Sequence, residues 1–432
     1  MRSNMKVKNI PHDLLSMTKT WKTLFVLLPL VLANGSFFFA QSAGWTIYNE
    51  ANSPLPSNAV HCIAEDRQHI LWIGTDNGLA RFDGVSWQIF NSSNSGLTEN
   101  YIRAIAIDTN NVVWIGTTMH GLFKYDGTSW FNYNTTNSSI PDNFIRTIQI
   151  DQNNNKWIGT VEGLAYFDEV NWTIWTMANA GLITNNITSI GIDSQNTKYI
   201  GTINGGVIYM TNNQINSYTI SNANIPDNSI ISVQIDATQK PWFASAAQGL
   251  FTDTGNQTWL SFNTSNSDIP TNSLTCFSID PNQNFLIGTL QNGIVLRLNN
   301  SNWLNLNTSN SPMPDNHVFS ILGNDQNTLW VGTEIGGLVR LNLEENQLNE
   351  INDNSLIIYP NPVSNGFPLH INGLNENLNT RVYLTDLDGK YPIELFETSP
   401  TGSYPFPKLS SGIYFLHIHS TFSSIQKKIF IE

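Results

Sequence analysis

Over most of this chain apolar and polar residues alternate in short runs, the period of a half-buried strand, and the runs are bounded by turn residues. In "YIRAIAID", "VVWIGT", "GLFKYD" and "SWFNYN", four such runs are joined by "TNN" and by an Asp-Gly turn, so residues 101–134 predict four hairpin-linked strands and no helix. The set then returns. Trp72, Trp114, Trp157, Tyr199, Trp242, Leu286 and Trp330 lead seven versions of "WIGT" at intervals of 42, 43, 42, 43, 44 and 44. A second column, Trp45, Trp87, Trp130, Trp172, Ile215, Trp259 and Trp303, keeps the same rhythm, so 11 of the 13 tryptophans fall in two columns.

One four-stranded unit cannot bury both of its faces, and must pack against its copies. Seven copies around an axis predict an all-β seven-bladed β-propeller over residues 41–345. Small residues at the third position of each first strand (Cys62, Ala104, Thr147, Ser189, Ser232, Cys276, Ser320) suit a crowded place near the axis, and the tryptophans suit the wider part of the wedge. Eight segments compete for seven fourth strands, because "WTIYN" precedes the first unit and "QLNEI" follows the last. Gln347 stands in the tryptophan column, so the Trp45 strand is expected to complete the seventh blade and latch the chain ends together.

Residues 1–40 read as an export signal. Lys19 and Lys22 precede the apolar run "LFVLLPLVLA", a cleavage point follows Ala40, and Met17 is the more usual start. That run is too short for a membrane helix. Removing the segment takes away five basic residues and Asp13, and moves the formal charge from -13 to -17. Such an acidic surface repels nucleic acid and anionic lipid, and a secreted or outer-surface location is expected. The two cysteines, Cys62 and Cys276, belong to units one and six, too far apart around the ring to bridge, and predict buried free thiols.

No phosphate-cradling loop, zinc-histidine pair or nucleophile elbow is present, and no cofactor is implied. An Asp closes each first strand (Asp66, Asp108, Asp151, Asp193, Asp236, Asp280, Asp325), and an Asn precedes it (Asn58, Asn100, Asn143, Asn185, Asn228, Asn272, Asn316). Calcium binding would need more acidic ligands than these loops hold, so turn capping is the preferred reading.

Chemistry is sought instead on the rim formed by the loops into the first strands and between the second and third. Its variable residues give the candidate ligand-binding set His61, Tyr101, Arg103, His120, Phe144, Arg146, Glu162 and His317, on blades seven, one, two and three. Blades four to six carry small polar residues there. Aromatic planes beside Arg and His donors suit a sugar or peptide ligand. The alternatives are a rim that binds nothing, and a zinc trio of His61, His120 and His317 should they converge.

"LWIGTDNGLARFDG" and its copies, over about residues 45–345, resemble the repeat of the two-component regulator propellers, sensor regions of hybrid histidine kinases in Bacteroidetes. Those sensors continue into a membrane helix and a kinase, for which no segment is read here. "IYPNPV", "VYLTDLDGK", "LSSGIYFLHI" and "KKIFIE" within residues 357–432 resemble the sorting domain of the type IX secretion system. That resemblance implies a small Ig-like β-sandwich that engages the secretion machinery and is removed or attached to surface lipopolysaccharide. Residues 346–356 read as the linker. The expected function is a secreted or cell-surface binding protein for a polysaccharide or protein. The alternatives are a structural surface protein, or a propeller enzyme similar to the streptogramin lyases in blade length and Trp-rich strands.

Overall fold

The computed structural model describes residues 44–343, apart from 212–213, 256–257, 299–301 and 325, together with 357–359, 369–372, 380–385, 393–397, 402–404, 409–420 and 424–431. The expected signal segment 1–40, the "QLNEI" segment and the linker 346–356 lie outside the described residues.

Seven four-stranded antiparallel sheets form the blades. Blade one runs Val60–Glu65, Leu71–Thr75, Gly78–Phe82 and Trp87–Phe90, each strand paired with the next, and blades two to six repeat that order. In blade seven, Val318–Gly323, Thr328–Thr333 and Leu338–Asn342 take their fourth strand from the start of the chain, Trp45–Tyr48, with Trp45 opposite Leu341. The first strand of blade one neighbours the first strands of both blade two and blade seven, which closes the ring. The chain is thus a seven-bladed β-propeller followed by a small β-sandwich. The latter comprises a three-stranded sheet (Ile357–Tyr359, Leu369–Asn372, Gly402–Tyr404) and a four-stranded one (Ile393–Glu397, Thr380–Thr385, Gly412–Ser420, Ser424–Ile431).

The repeated residues have repeated tasks. In blades two and three the first-column indole is buried and its Nε1 donates to the Asp that closes the first strand, at 3.0 Å for Trp114–Asp108 and 3.1 Å for Trp157–Asp151. The other oxygen of each Asp accepts N–H groups two and four residues on, as at Asn110 and Val112, and so holds the hairpin. Blade seven corrects the sequence reading: Asn324 performs this task, accepting from Gln326 and Thr328, whereas Asp325 lies outside the described residues. The Asn column is a staple. Its side-chain oxygen accepts the N–H eight residues earlier in all seven blades, from Glu50 onto Asn58 through Thr308 onto Asn316, at 2.7–2.9 Å.

The small-residue column also has a more specific cause than closeness to the axis. The Gly of "WIGT" packs against that small side chain and against the branched residue that opens the next blade. A Cβ on Gly116 would lie 2.6 Å from Ile145, and one on Gly74 would lie 2.5 Å from the Cys62 sulfur. Cys62 and Cys276 are free, and burial pushes both thiols up to about 12.

Two further features go beyond the sequence reading. The second-column tryptophans of blades one to three, Trp87, Trp130 and Trp172, are only half-buried. And two one-turn helices, Met177–Ala180 and Ile220–Ala223, occur between blades, although none was expected. Both are capping boxes, Thr176 with Asn179 and Thr219 with Asn222. They stand where the turn ahead of blade one uses the same reciprocal bonds between two asparagines, Asn49 and Asn52.

Candidate functional site

Every first strand carries a β-bulge after its first residue. In blade one the register passes from Val60 opposite Thr75 to Cys62 opposite Gly74, leaving His61 as the extra residue, and the same shift recurs in the other six. A bulge frees a side chain from the ladder and re-aims it. The seven residues so placed are His61, Arg103, Arg146, Thr188, Ile231, Thr275 and Phe319. They are the second residues of the innermost strands, where the ring is narrowest. Thr188 and Thr275 turn their hydroxyls onto the backbone of the next blade, at Ile230 (2.6 Å) and Val318 (2.5 Å). The larger side chains at the other positions have no such outlet, and six of the eight candidates, His61, Tyr101, Arg103, Phe144, Arg146 and His317, lie on one arc of the rim.

His61 is buried between Tyr101 and Phe319, stacked at centroid distances of 4.6 and 4.7 Å, and His317 meets the other side of the arc edge-on to Phe319. Asp76 hydrogen-bonds His61 Nε2, while Nδ1 is buried without a partner. Burial lowers the imidazole pKa below its ordinary 6.5 and the Arg103 charge lowers it further, against the opposing effects of Asp76 and Glu334. His317 Nδ1 lies 2.9 Å from Glu334. On the next two blades Arg103 and Arg146 are half-buried and close enough that Arg103, after burial, depresses the Arg146 pKa. Arg146 covers the ring of Phe144 at 5.0 Å, and its Nε is buried without a hydrogen bond. Asn186 Oδ1, the next rim position around, is unsatisfied too.

The remaining two candidates stand apart. His120 is exposed and held by Glu99 at 3.3 Å, and Glu162 accepts from the side chain of Asn185. The three histidines therefore do not form a trio, and among the described residues no group of three His, Cys, Asp or Glu side chains is placed to hold a metal ion. Sequence reasoning missed Asp76 and Glu334, the carboxylates that orient the two rim histidines. Each is the first residue after its "GT", a variable position that carries no repeat signal.

Comparison with known proteins accords with this architecture. Residues 357–432 match the family described as secretion system C-terminal sorting domain, and residues 54–77 and 96–119 match the two component regulator propeller. No curated protein matches the sequence. Among solved structures, the extracellular domain of a hybrid two component system of B. thetaiotaomicron aligns with a TM-score of 0.63 at 18% identity, over 90% of this chain and 57% of that one. PorZ, a surface component of the type-IX secretion system of Porphyromonas gingivalis, aligns at 0.55 and 17% identity, over 89% of this chain and 61% of that one. Virginiamycin B lyase of Staphylococcus aureus aligns at 0.57 and 13% identity, over 70% of this chain and all of its own. The chain spans about three fifths of the length of the first two, and at these identities the likeness is one of fold. No helix among the described residues is long and apolar enough to cross a membrane. The chain carries two component regulator propeller repeats ahead of a secretion system C-terminal sorting domain, and is an exported propeller protein.

Proposed function

We propose that this propeller is a binding module, exported through the machinery that its residues 357–432 engage, and that it takes an acidic polysaccharide or protein ligand at the channel mouth over blades seven, one, two and three. The domain limits proposed with it are a signal segment 1–40, a propeller 41–345 and a linker 346–356. One observation carries the reading: Arg103 and Arg146 lie side by side, half-buried, with neither an ion pair nor a hydrogen bond to any described residue. In a chain with 33 acidic and 20 basic residues, partners of opposite sign are plentiful. Leaving two cations together without one costs stability, a cost that a bound carboxylate or phosphate reverses by accepting the guanidinium forks. Tyr101 and Phe144 give the flanking aromatic surface.

The test is titration of the full chain with acidic polysaccharides and acidic peptides at two salt concentrations. Binding should weaken by about tenfold or more in Arg103→Gln/Arg146→Gln, and should weaken as salt rises. The ligand-free double variant should melt no lower than the parent. Acidic-ligand binding that survives the double substitution would refute the site.

A second reading, a lyase-like enzyme, rests on the pairing of buried His61 with exposed Asp76 in a fold shared with virginiamycin B lyase. Turnover of an acidic polysaccharide that is lost in His61→Gln would favour it.

A further inference from the structure

The seam between blades four and five opens into a cleft of about 420 Å³ on the opposite face, that of the hairpins joining the first to the second strand and the third to the fourth. It owes its existence to two departures from the repeat. Tyr199 stands in the first tryptophan column, and Asp253 stands where blade three has Phe167, each opposite the second-column tryptophan of its blade. Tyr209 takes the place that Lys124 holds in blade two.

The walls are four half-buried aromatic rings, set at different angles. Tyr199 and Tyr209 meet edge-on at 5.2 Å, Tyr209 and Tyr218 lie 6.2 Å apart, and Tyr218 meets Trp259 edge-on at 6.3 Å. Polar groups border them. The hydroxyls of Tyr209 and Tyr218 make no hydrogen bond to the described residues, and Lys240 makes no ion pair among them. One oxygen of Asp253 accepts from Gly255, and Gln239 uses its side-chain oxygen to hold Ser194, leaving its NH2. The one cation and one anion among the lining residues balance, so the cleft has no preference for charge.

The geometry points to a binding site for a neutral saccharide in this cleft: a flat, uncharged polyol presents C–H faces to tyrosine and tryptophan rings, and hydroxyls to amide, phenol, ammonium and carboxylate groups. This site is separate from the channel mouth and does not depend on the reading given for it.

The test is calorimetric titration of the full chain with neutral hexasaccharides of β-glucan, α-mannan and β-galactan. At least one should bind with Kd below about 1 mM. Tyr209→Ala and Asp253→Asn should each weaken it about tenfold or more, Tyr209→Phe should weaken it less, and Arg103→Gln/Arg146→Gln should leave it unchanged. The melting temperature identifies any variant that has lost its fold, in which case Tyr209→Phe and Asp253→Asn decide the matter. Absence of binding by all three sugars at about 10 mM, or binding indifferent to Tyr209 and Asp253, would overturn the assignment. Loss in the arginine double variant alone would transfer the sugar to the channel mouth and overturn it likewise.

Discussion

The seam between blades two and three and the seam between blades four and five are built on the same plan and finished differently. In the first, Trp114 is fully buried, Phe167 meets it edge-on at 6.1 Å, and Trp172 stacks on Phe167 at 4.2 Å. The buried ammonium of Lys156 lies 4.5 Å above Trp114, 3.5 Å from Asp108, and in contact with Glu169, which also binds Lys124. In the second seam, Tyr199, Tyr209 and Asp253 replace Trp114, Lys124 and Phe167, and the space stays open. Blades adhere through aromatic columns, so the ring can spare one seam for a cavity while its neighbours remain filled. Regularity serves stability here, and departures from it open space at a seam.

The sharpest test of this contrast is truncation of the two column residues. Trp114→Ala should cost about 3–5 kcal/mol in urea titration and Tyr199→Ala about 1–2 kcal/mol, because only the first leaves a large sealed cavity. Equal losses would erase the distinction. Next in size is Lys156→Ala, expected to cost about 3 kcal/mol, since it strands the Asp108 carboxylate in a buried site. Lys156→Met, which keeps the volume over Trp114, should cost about 1 kcal/mol more than a neutral change at most if Asp108 is replaced with Asn alongside it. A smaller effect of opposite sign should follow filling the open seam. Tyr199→Trp is expected to add about 0.5–1 kcal/mol while weakening any sugar in the cleft, and destabilisation instead would mean that the seam is already packed.

The smallest effect concerns pH. Because His61 has its pKa lowered in the folded protein, the unfolded chain takes up a proton first as pH falls below 6.5. The contribution from this ring is therefore complete above 6.5 and is lost between there and the lower folded value. In His61→Phe the midpoint of urea unfolding should vary less between about pH 7 and pH 5 than in the parent.

Much of this was legible because repeats turn a weak local signal into a column. Seven in-phase versions of "WIGT", five of them led by tryptophan, fixed the blade number, and the absence of a tryptophan at Gln347 identified the closing strand. Other features depended on contacts that only the fold creates. His61 reads in sequence as one more rim residue, and nothing before folding places it between Tyr101 and Phe319, which come from neighbouring blades 40 and 258 positions away. His120 and Glu162 read the same way, yet local bonds to Glu99 and Asn185 hold them apart from that stack. Tyr199 stands in the first tryptophan column, but Asp253 belongs to none of the columns read from the sequence, and the cleft forms only because the two meet across one seam.

The strand Trp45–Tyr48 is made early and finds its place only beside Leu338–Asn342. Until synthesis reaches that point, the growing chain has a bare strand at its leading end and no second boundary to receive it, a state open to pairing with other molecules. Truncation anywhere before Asn342 should thus yield not a smaller ring but an open one with two adhesive ends.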